Sequence, residues 1–156
     1  MNRAELATSI AALSLTPFAL AGCASPVSDI EHAVPTAVVA SDANIVDAYV
    51  SVSSGLGGQG FWVRIYLDDT SDEAVIASVD AALEAAYRGS PVEPTSITLD
   101  VARAPRPEKV VLVSGALSLS DTVIDALGLR GRASDGSISL SADHLAERFG
   151  AWEAGR

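Results

Sequence analysis

Alternating apolar and polar residues predict strands in the central part of the chain. In residues 61–67 the odd positions are Phe, Val, Ile and Leu, and residues 45–52 and 95–101 are β-branched and partly alternating. Successive side chains of a strand point to opposite faces. The pattern therefore predicts a hairpin followed by a third strand, in a sheet with one apolar face and one polar face that meets water.

A second periodicity predicts the longest helix of the chain, over residues 70–88. Its apolar positions recur at helical spacing and include Val75, Val79 and Leu83. Thr70 and Glu73 have the spacing of a capping box at its start. A helix between two strands favours a crossover onto the same sheet.

Weaker patterns complete the predicted fold. The apolar run 109–113 favours a strand, and residues 137–140 are predicted as an edge strand. Shorter helices are predicted over residues 120–127 and 143–149. The predicted fold is α+β, a small two-layer sandwich with a mainly antiparallel sheet and two or three helices on one face. Residues 37–156 are expected to form this domain, which is long enough to bury a core without disulfides.

The N-terminal region has the order of a secretory signal. Arg3 precedes an apolar stretch, and no charged side chain occurs between residues 6 and 28. A short positive region, an apolar region and small residues at a cleavage point are typical of such signals.

The apolar stretch is followed by Leu20-Ala21-Gly22-Cys23. This tetrapeptide resembles the lipobox of bacterial lipoproteins. The resemblance implies that residues 1–22 are removed and that the Cys23 thiol carries a diacylglyceryl group. Two acyl chains hold a protein firmly on a membrane, so the resemblance predicts a lipid-anchored protein on the extracytoplasmic face of the cell membrane, with the membrane as its partner.

Two alternatives to lipidation stay open for the N-terminus. A retained transmembrane helix needs about 20 apolar residues, whereas serines, threonines and Pro17 dilute this stretch. In plain secretion, Cys23 would be an ordinary residue of the signal region.

Residues 23–36 are predicted to be a flexible linker that holds the domain off the lipid surface. Pro26, Pro35 and small polar residues occur there without a clear period. His32 is interpreted as a solvated linker residue.

Composition narrows the function classes. Ten basic residues against 20 acidic residues give a formal charge of −10, which argues against binding of a nucleic-acid backbone. The single cysteine excludes an intramolecular disulfide and a Cys-rich zinc site. The sequence predicts no cofactor and no metal site.

Residues 55–60 fit the pattern G-x-G-x-x-G. Dinucleotide binding requires a helix after that pattern, because the helix N-terminus holds the pyrophosphate. A strand follows here, so the segment is predicted to be a mobile hairpin loop, with contact to a partner as the alternative.

Trp62, Arg64 and Tyr66 are predicted to share the polar face of the sheet and to face solvent. We take these three residues as the candidate ligand-binding surface; the alternative is ordinary cross-strand stabilisation. His144 has acidic neighbours, but no matching partner cluster occurs elsewhere, and no catalytic residue is predicted.

The predicted function is a non-enzymatic, membrane-anchored lipoprotein domain that binds an envelope protein, a wall component or a small ligand. A structural or assembly factor of the envelope is one alternative. A tethered hydrolase is the other, and it predicts a cleft in which His144 meets carboxylates from distant segments.

Overall fold

The computed structural model describes residues 26–112, 114–134 and 136–154. Cys23 and the predicted signal sequence lie outside the described residues. Within these ranges the helices are α1 (Pro26–Ser41), α2 (Asp72–Arg88), α3 (Asp121–Ala126) and α4 (Ala142–Phe149). The strands are β1 (Ile45–Gly55), β2 (Gly58–Leu67), β3 (Pro94–Arg103), β4 (Ala133–Ser134) and β5 (Ser137–Ser141).

The strands form one mainly antiparallel sheet in the order β1-β2-β3-β5-β4. β1 and β2 form the predicted hairpin. β2 and β3 run parallel because α2 returns the chain to the same end of the sheet. β5 lies inside the sheet, between β3 and the two-residue β4, and is not the edge strand that the sequence predicts.

The helices pack on the apolar face of the sheet, which confirms the predicted α+β class. Alternate residues of β2 and β3, among them Val63, Ile65 and Leu99, are fully buried there. They form one hydrophobic core with α1, α2, α3 and α4. The opposite face of the sheet carries the polar alternate positions.

The predicted linker is wrong for residues 26–36, because they form most of α1. Ile30, Val34 and Val38 are fully buried on one side of this helix. Burying three such side chains contributes about 1.5–3 kcal/mol each. That sum exceeds the cost of about 3 kcal/mol for a proline in a helix interior, so Pro35 is tolerated.

Side chains fix α1 against α2 near the start of β1. Ser78 of α2 is fully buried, and its Oγ donates to Oδ2 of Asp42 at 2.9 Å. The same Oγ accepts from Nδ2 of Asn44 at 3.1 Å. Further along, a Cβ on Gly89 would lie 2.6 Å from the Cβ of Ala37, so the two helices approach closely where glycine has no side chain.

Two local predictions are wrong. Residues 109–112 form a loop instead of a strand, and Val113 lies outside the described residues. The N-cap of α2 is Ser71, without a capping side-chain hydrogen bond. The Thr70 hydroxyl instead accepts from Arg103 at 2.6 Å.

Candidate functional site

The polar face of the sheet is built from rows of side chains that cross the strands. Alternation along each strand and the register between strands place Tyr49, Arg64, Asp100 and Ser137 in one row. The parallel pairing of β2 with β3 sets Arg64 beside Asp100 at the centre of that row.

Arg64 and Asp100 form a buried ion pair. Arg64 is 2% exposed and Asp100 is 1% exposed. Nε of Arg64 lies 2.7 Å from Oδ1 of Asp100, and Nη2 lies 2.7 Å from Oδ2. This two-pronged geometry matches the planar guanidinium to the carboxylate.

The other donors of Arg64 bind a loop that crosses the sheet. Nη1 donates to the carbonyl oxygens of Val111, at 3.0 Å, and Ser114, at 2.8 Å. Nη2 also donates to the carbonyl oxygen of Leu112 at 2.8 Å. All five N–H groups of the guanidinium therefore have acceptors. These carbonyls point at Arg64 and not at a neighbouring strand, which explains why residues 109–112 do not form the predicted strand.

We call residues 104–117 the cover loop. It leaves the end of β3 and crosses the row of Arg64. It returns to the sheet where the Leu117 amide donates to the Val101 carbonyl at 2.7 Å. It closes one half of the polar face, over Arg64 and Tyr66.

Asp100 also accepts a hydrogen bond from Trp62, whose Nε1 lies 3.1 Å from Oδ2. The hydrogen bond to Asp100 raises the pKa of Arg64 above its usual value, and burial opposes the rise. Asp100 therefore favours the charged form of Arg64, and both side chains have further hydrogen bonds.

The prediction that Trp62, Arg64 and Tyr66 lie together on a solvent-exposed face is wrong for two of the three. Arg64 and Tyr66 are buried beneath the cover loop, and only Trp62 is partly exposed. Because every N–H group of Arg64 is hydrogen-bonded to an acceptor within the protein, Arg64 has no donor left for a ligand. Alternation assigns residues to a face, but it does not reveal that a loop covers part of it.

Tyr66 has an unusual environment under the cover loop. Its side chain is 1% exposed, and its hydroxyl has no hydrogen-bond partner among the described residues. Tyr66 lines a cavity of about 240 Å³ together with Arg64 and residues of the cover loop. Burial raises the pKa of Tyr66, and the positive charge of Arg64 partly offsets the rise.

The other half of the polar face is open and lined by hydroxyl groups. One row across four strands consists of Ser51, Trp62, Thr98 and Ser139, and the next consists of Ser53, Gly60, Ser96 and Ser141. We call these eight residues the hydroxyl face. None of them is charged, and each is exposed or half-buried.

The hydroxyl face keeps hydrogen-bonding groups available to a ligand. The Thr98 and Ser139 hydroxyls lie 3.3 Å apart, and Ser53 donates to the Gly60 carbonyl at 3.3 Å. Each hydroxyl can donate once and accept twice, so such contacts do not exhaust it. A groove of about 380 Å³ runs along the hairpin end of this face, and Ser53, Gly60 and Ser96 contribute to its walls.

His144 does not have the environment of a catalytic histidine. Arg132 Nη1 and Ser141 Oγ lie 2.9 and 2.7 Å from its Nδ1. A carboxylate usually orients a catalytic histidine, whereas the hydrogen-bond partners of His144 among the described residues are a guanidinium and a hydroxyl. Glu147 lines the same cleft, of about 300 Å³, but it belongs to the same helix. The geometry that the tethered-hydrolase alternative predicts is not found in the described part of the chain.

The described residues offer no further candidate for a functional site at His32, in a metal-binding cluster or in a membrane-spanning helix. His32 lies on the exposed side of α1, where its Nδ1 is 2.8 Å from the carbonyl oxygen of Ser28. Within residues 26–112, 114–134 and 136–154, no group of three or more His, Cys, Asp or Glu residues is arranged to hold a metal ion. The helices in those ranges are too short or too polar to cross a membrane.

No family model, no curated protein and no solved structure matches this chain. The candidate site therefore rests on the residues and the geometry described above.

Replacing the two buried tyrosines tests the structure of the covered half. Tyr66→Phe is expected to leave the free energy of unfolding at pH 7 unchanged or to raise it by up to about 1 kcal/mol, because the hydroxyl it removes is buried without a partner. Tyr87→Phe is the matched control. The Tyr87 hydroxyl donates to the Gly150 carbonyl at 3.2 Å, so its removal should cost about 0.5–1.5 kcal/mol.

Urea unfolding at pH 7 and at alkaline pH measures both effects. Burial raises the pKa of Tyr66 and of Tyr87 in the folded state. Both groups therefore contribute stability below the unfolded pKa of about 10, and this stability is lost as the pH rises through the folded value. Tyr66→Phe should weaken that alkaline loss. Equal costs at pH 7 for the two variants would contradict the unpartnered hydroxyl.

Proposed function

We propose that this chain is a lipid-anchored, extracytoplasmic binding domain of a bacterial envelope. The anchor is argued from Leu20-Ala21-Gly22-Cys23, which follows an uncharged stretch in the position of a lipobox. The two acyl chains of a diacylglyceryl cysteine are sufficient for stable attachment, whereas one chain binds only marginally.

A binding role fits the polar groups of the domain better than catalysis. The buried Arg64–Asp100 pair is fully engaged within the protein. His144 bonds to Arg132 and Ser141. These groups hold the fold together, and none of them is positioned as a nucleophile with an adjacent base.

The hydroxyl face carries the proposal for the ligand. Its two rows of uncharged side chains cross four strands of a protein whose formal charge is −10. Hydroxyl groups donate and accept, and the half-buried Trp62 adds an aromatic side chain at the border with the cover loop. This surface suits an uncharged, hydroxyl-rich chain, and the wall glycan is the envelope component of that class.

Cys23→Ala tests the anchor. The variant is expected either to leave the membrane fraction as secreted protein or to accumulate as unprocessed precursor, because the thioether cannot form. The wild-type protein should sediment with membranes and have an intact mass that starts at a diacylated Cys23. A mature-sized variant that still fractionates with membranes would contradict the anchor.

Ser139→Arg tests the hydroxyl face. Ser139 is exposed on β5, beside Thr98 at one end of its row, so arginine fits there without burial and its long side chain can block the face. The full-length variant is expected to bind protein-free cell-wall glycan about tenfold more weakly than wild type in co-sedimentation, a loss of about 1.4 kcal/mol.

Ala77→Arg is the control for Ser139→Arg, since it adds the same charge at an exposed position of α2, in the other layer. It should bind the glycan like wild type. Equal weakening by both substitutions would show a charge effect and contradict the face. Failure of wild type to bind the glycan would contradict the ligand class and favour an envelope protein as partner.

A further inference from the structure

The turn between β1 and β2 presents one apolar side chain to solvent. Gly55 and Gly58 form the last pair of the hairpin, and Leu56 and Gly57 connect them. The Leu56 side chain is fully exposed. No charged side chain occurs in residues 53–60, although the chain as a whole is strongly acidic. We call residues 55–58 the hairpin tip.

The direction of α1 places its first residue toward the hairpin tip. Residues 42–44 alone separate α1 from β1, and the Ile45 amide donates to the Asp42 carbonyl at 3.1 Å. The chain therefore reverses, and α1 runs back along β1. A cleft between the two elements is lined by residues 31, 32 and 35 on α1 and by residues 47–50 on β1, which fixes their alignment.

That alignment gives the height of Pro26 along the sheet. A helix rises about 1.5 Å per residue and a strand about 3.3 Å. From residues 31–35, the helix extends about 10 Å further to Pro26, which reaches the level of Val52 on β1. The hairpin tip lies about 13 Å beyond Val52 in the same direction.

The number of residues between Cys23 and α1 limits the distance of the proposed lipidation site from this end of the fold. Three peptide links join Cys23 to Pro26, and an extended chain spans at most about 3.6 Å per residue. The thioether of Cys23 can therefore lie no more than about 11–15 Å from the start of α1. This leaves no long spacer between the lipid and the domain. The proposed anchor and the hairpin tip can then reach the same membrane surface, because both extend a similar distance beyond the level of Pro26 and Val52.

We propose that Leu56 inserts into the outer leaflet beside the acyl chains of Cys23, as a second contact between the domain and the membrane. This inference rests on the proposed lipid anchor. A single leucine binds a bilayer weakly by itself, but the anchor makes its insertion intramolecular, at an effective concentration of about millimolar. Because the tip is uncharged, the contact requires no anionic lipid.

The second contact orients the domain. With the hairpin tip in the leaflet, β1 and β2 extend away from the membrane. The hydroxyl face then points sideways, where a chain running along the membrane surface can reach it. Its groove at Ser53 and Ser96 lies nearest the lipid headgroups.

Fluorescence of a probe at position 56 tests the insertion. The chain has a single cysteine, and lipidation blocks its thiol, so Leu56→Cys introduces one reactive thiol in the lipidated full-length protein. An environment-sensitive probe on that thiol is expected to shift to the blue in phosphatidylcholine vesicles and to be quenched by nitroxide-bearing lipids. Ala77→Cys, exposed on α2, is the control and should report water. A probe at position 56 that reports water as fully as the control would overturn the inference.

A second labelled position separates insertion by Leu56 from insertion by the probe itself. A probe at Gln59→Cys is expected to be quenched by the nitroxide lipids while Leu56 is present, and to lose this quenching in the Leu56→Ser background. Persistent quenching after that substitution would show that Leu56 is not the contact. Vesicle flotation separates the two proposals. If the protein floats while both probes report water, only the hairpin contact is contradicted. If the protein does not float, the anchor and the contact are contradicted together.

Discussion

The buried guanidinium of Arg64 is the constraint on which the polar side of this domain depends. A charged group removed from water is costly unless its charge is paired and its donors are satisfied. Asp100 is the oppositely charged partner, and carbonyl oxygens of Val111, Leu112 and Ser114 are the remaining acceptors for the N–H groups of Arg64. The cover loop therefore has to cross the sheet at this row, and the face is divided into a closed half and an open half.

This division relates the fold to the proposed function. The closed half is internal structure, although the sequence makes its residues the obvious candidates for a ligand. The open half consists of two rows of residues, six of which carry hydroxyl groups, and Trp62 is joined to the closed half by its hydrogen bond to Asp100. In the opposite layer, α1 begins three residues after Cys23 and packs into the core with Ile30, Val34 and Val38. No long spacer therefore separates the domain from the proposed anchor.

The sequence predicts what local periodicity encodes and misses what depends on distant partners. Alternation in residues 61–67 and 95–101 and the apolar stripe of α2 were sufficient for the α+β class. The spacing of Ile30, Val34 and Val38 was a readable helical signal, but Pro26 before it and Pro35 inside it favoured a linker. The cover loop had no such signal, because its conformation is set by Arg64, 47 to 50 residues earlier in the chain. The hydroxyl rows needed the strand register, which a single sequence does not give.

A double-mutant cycle on Arg64→Met and Asp100→Leu, measured by urea unfolding, tests the central interaction most directly. Each single substitution is expected to cost about 3–5 kcal/mol, because it leaves one buried charge without its partner. The double variant should cost clearly less than the sum of the two, with a coupling of at least about 2 kcal/mol. Single costs below about 1 kcal/mol that add without coupling, as for an exposed pair, would contradict the account.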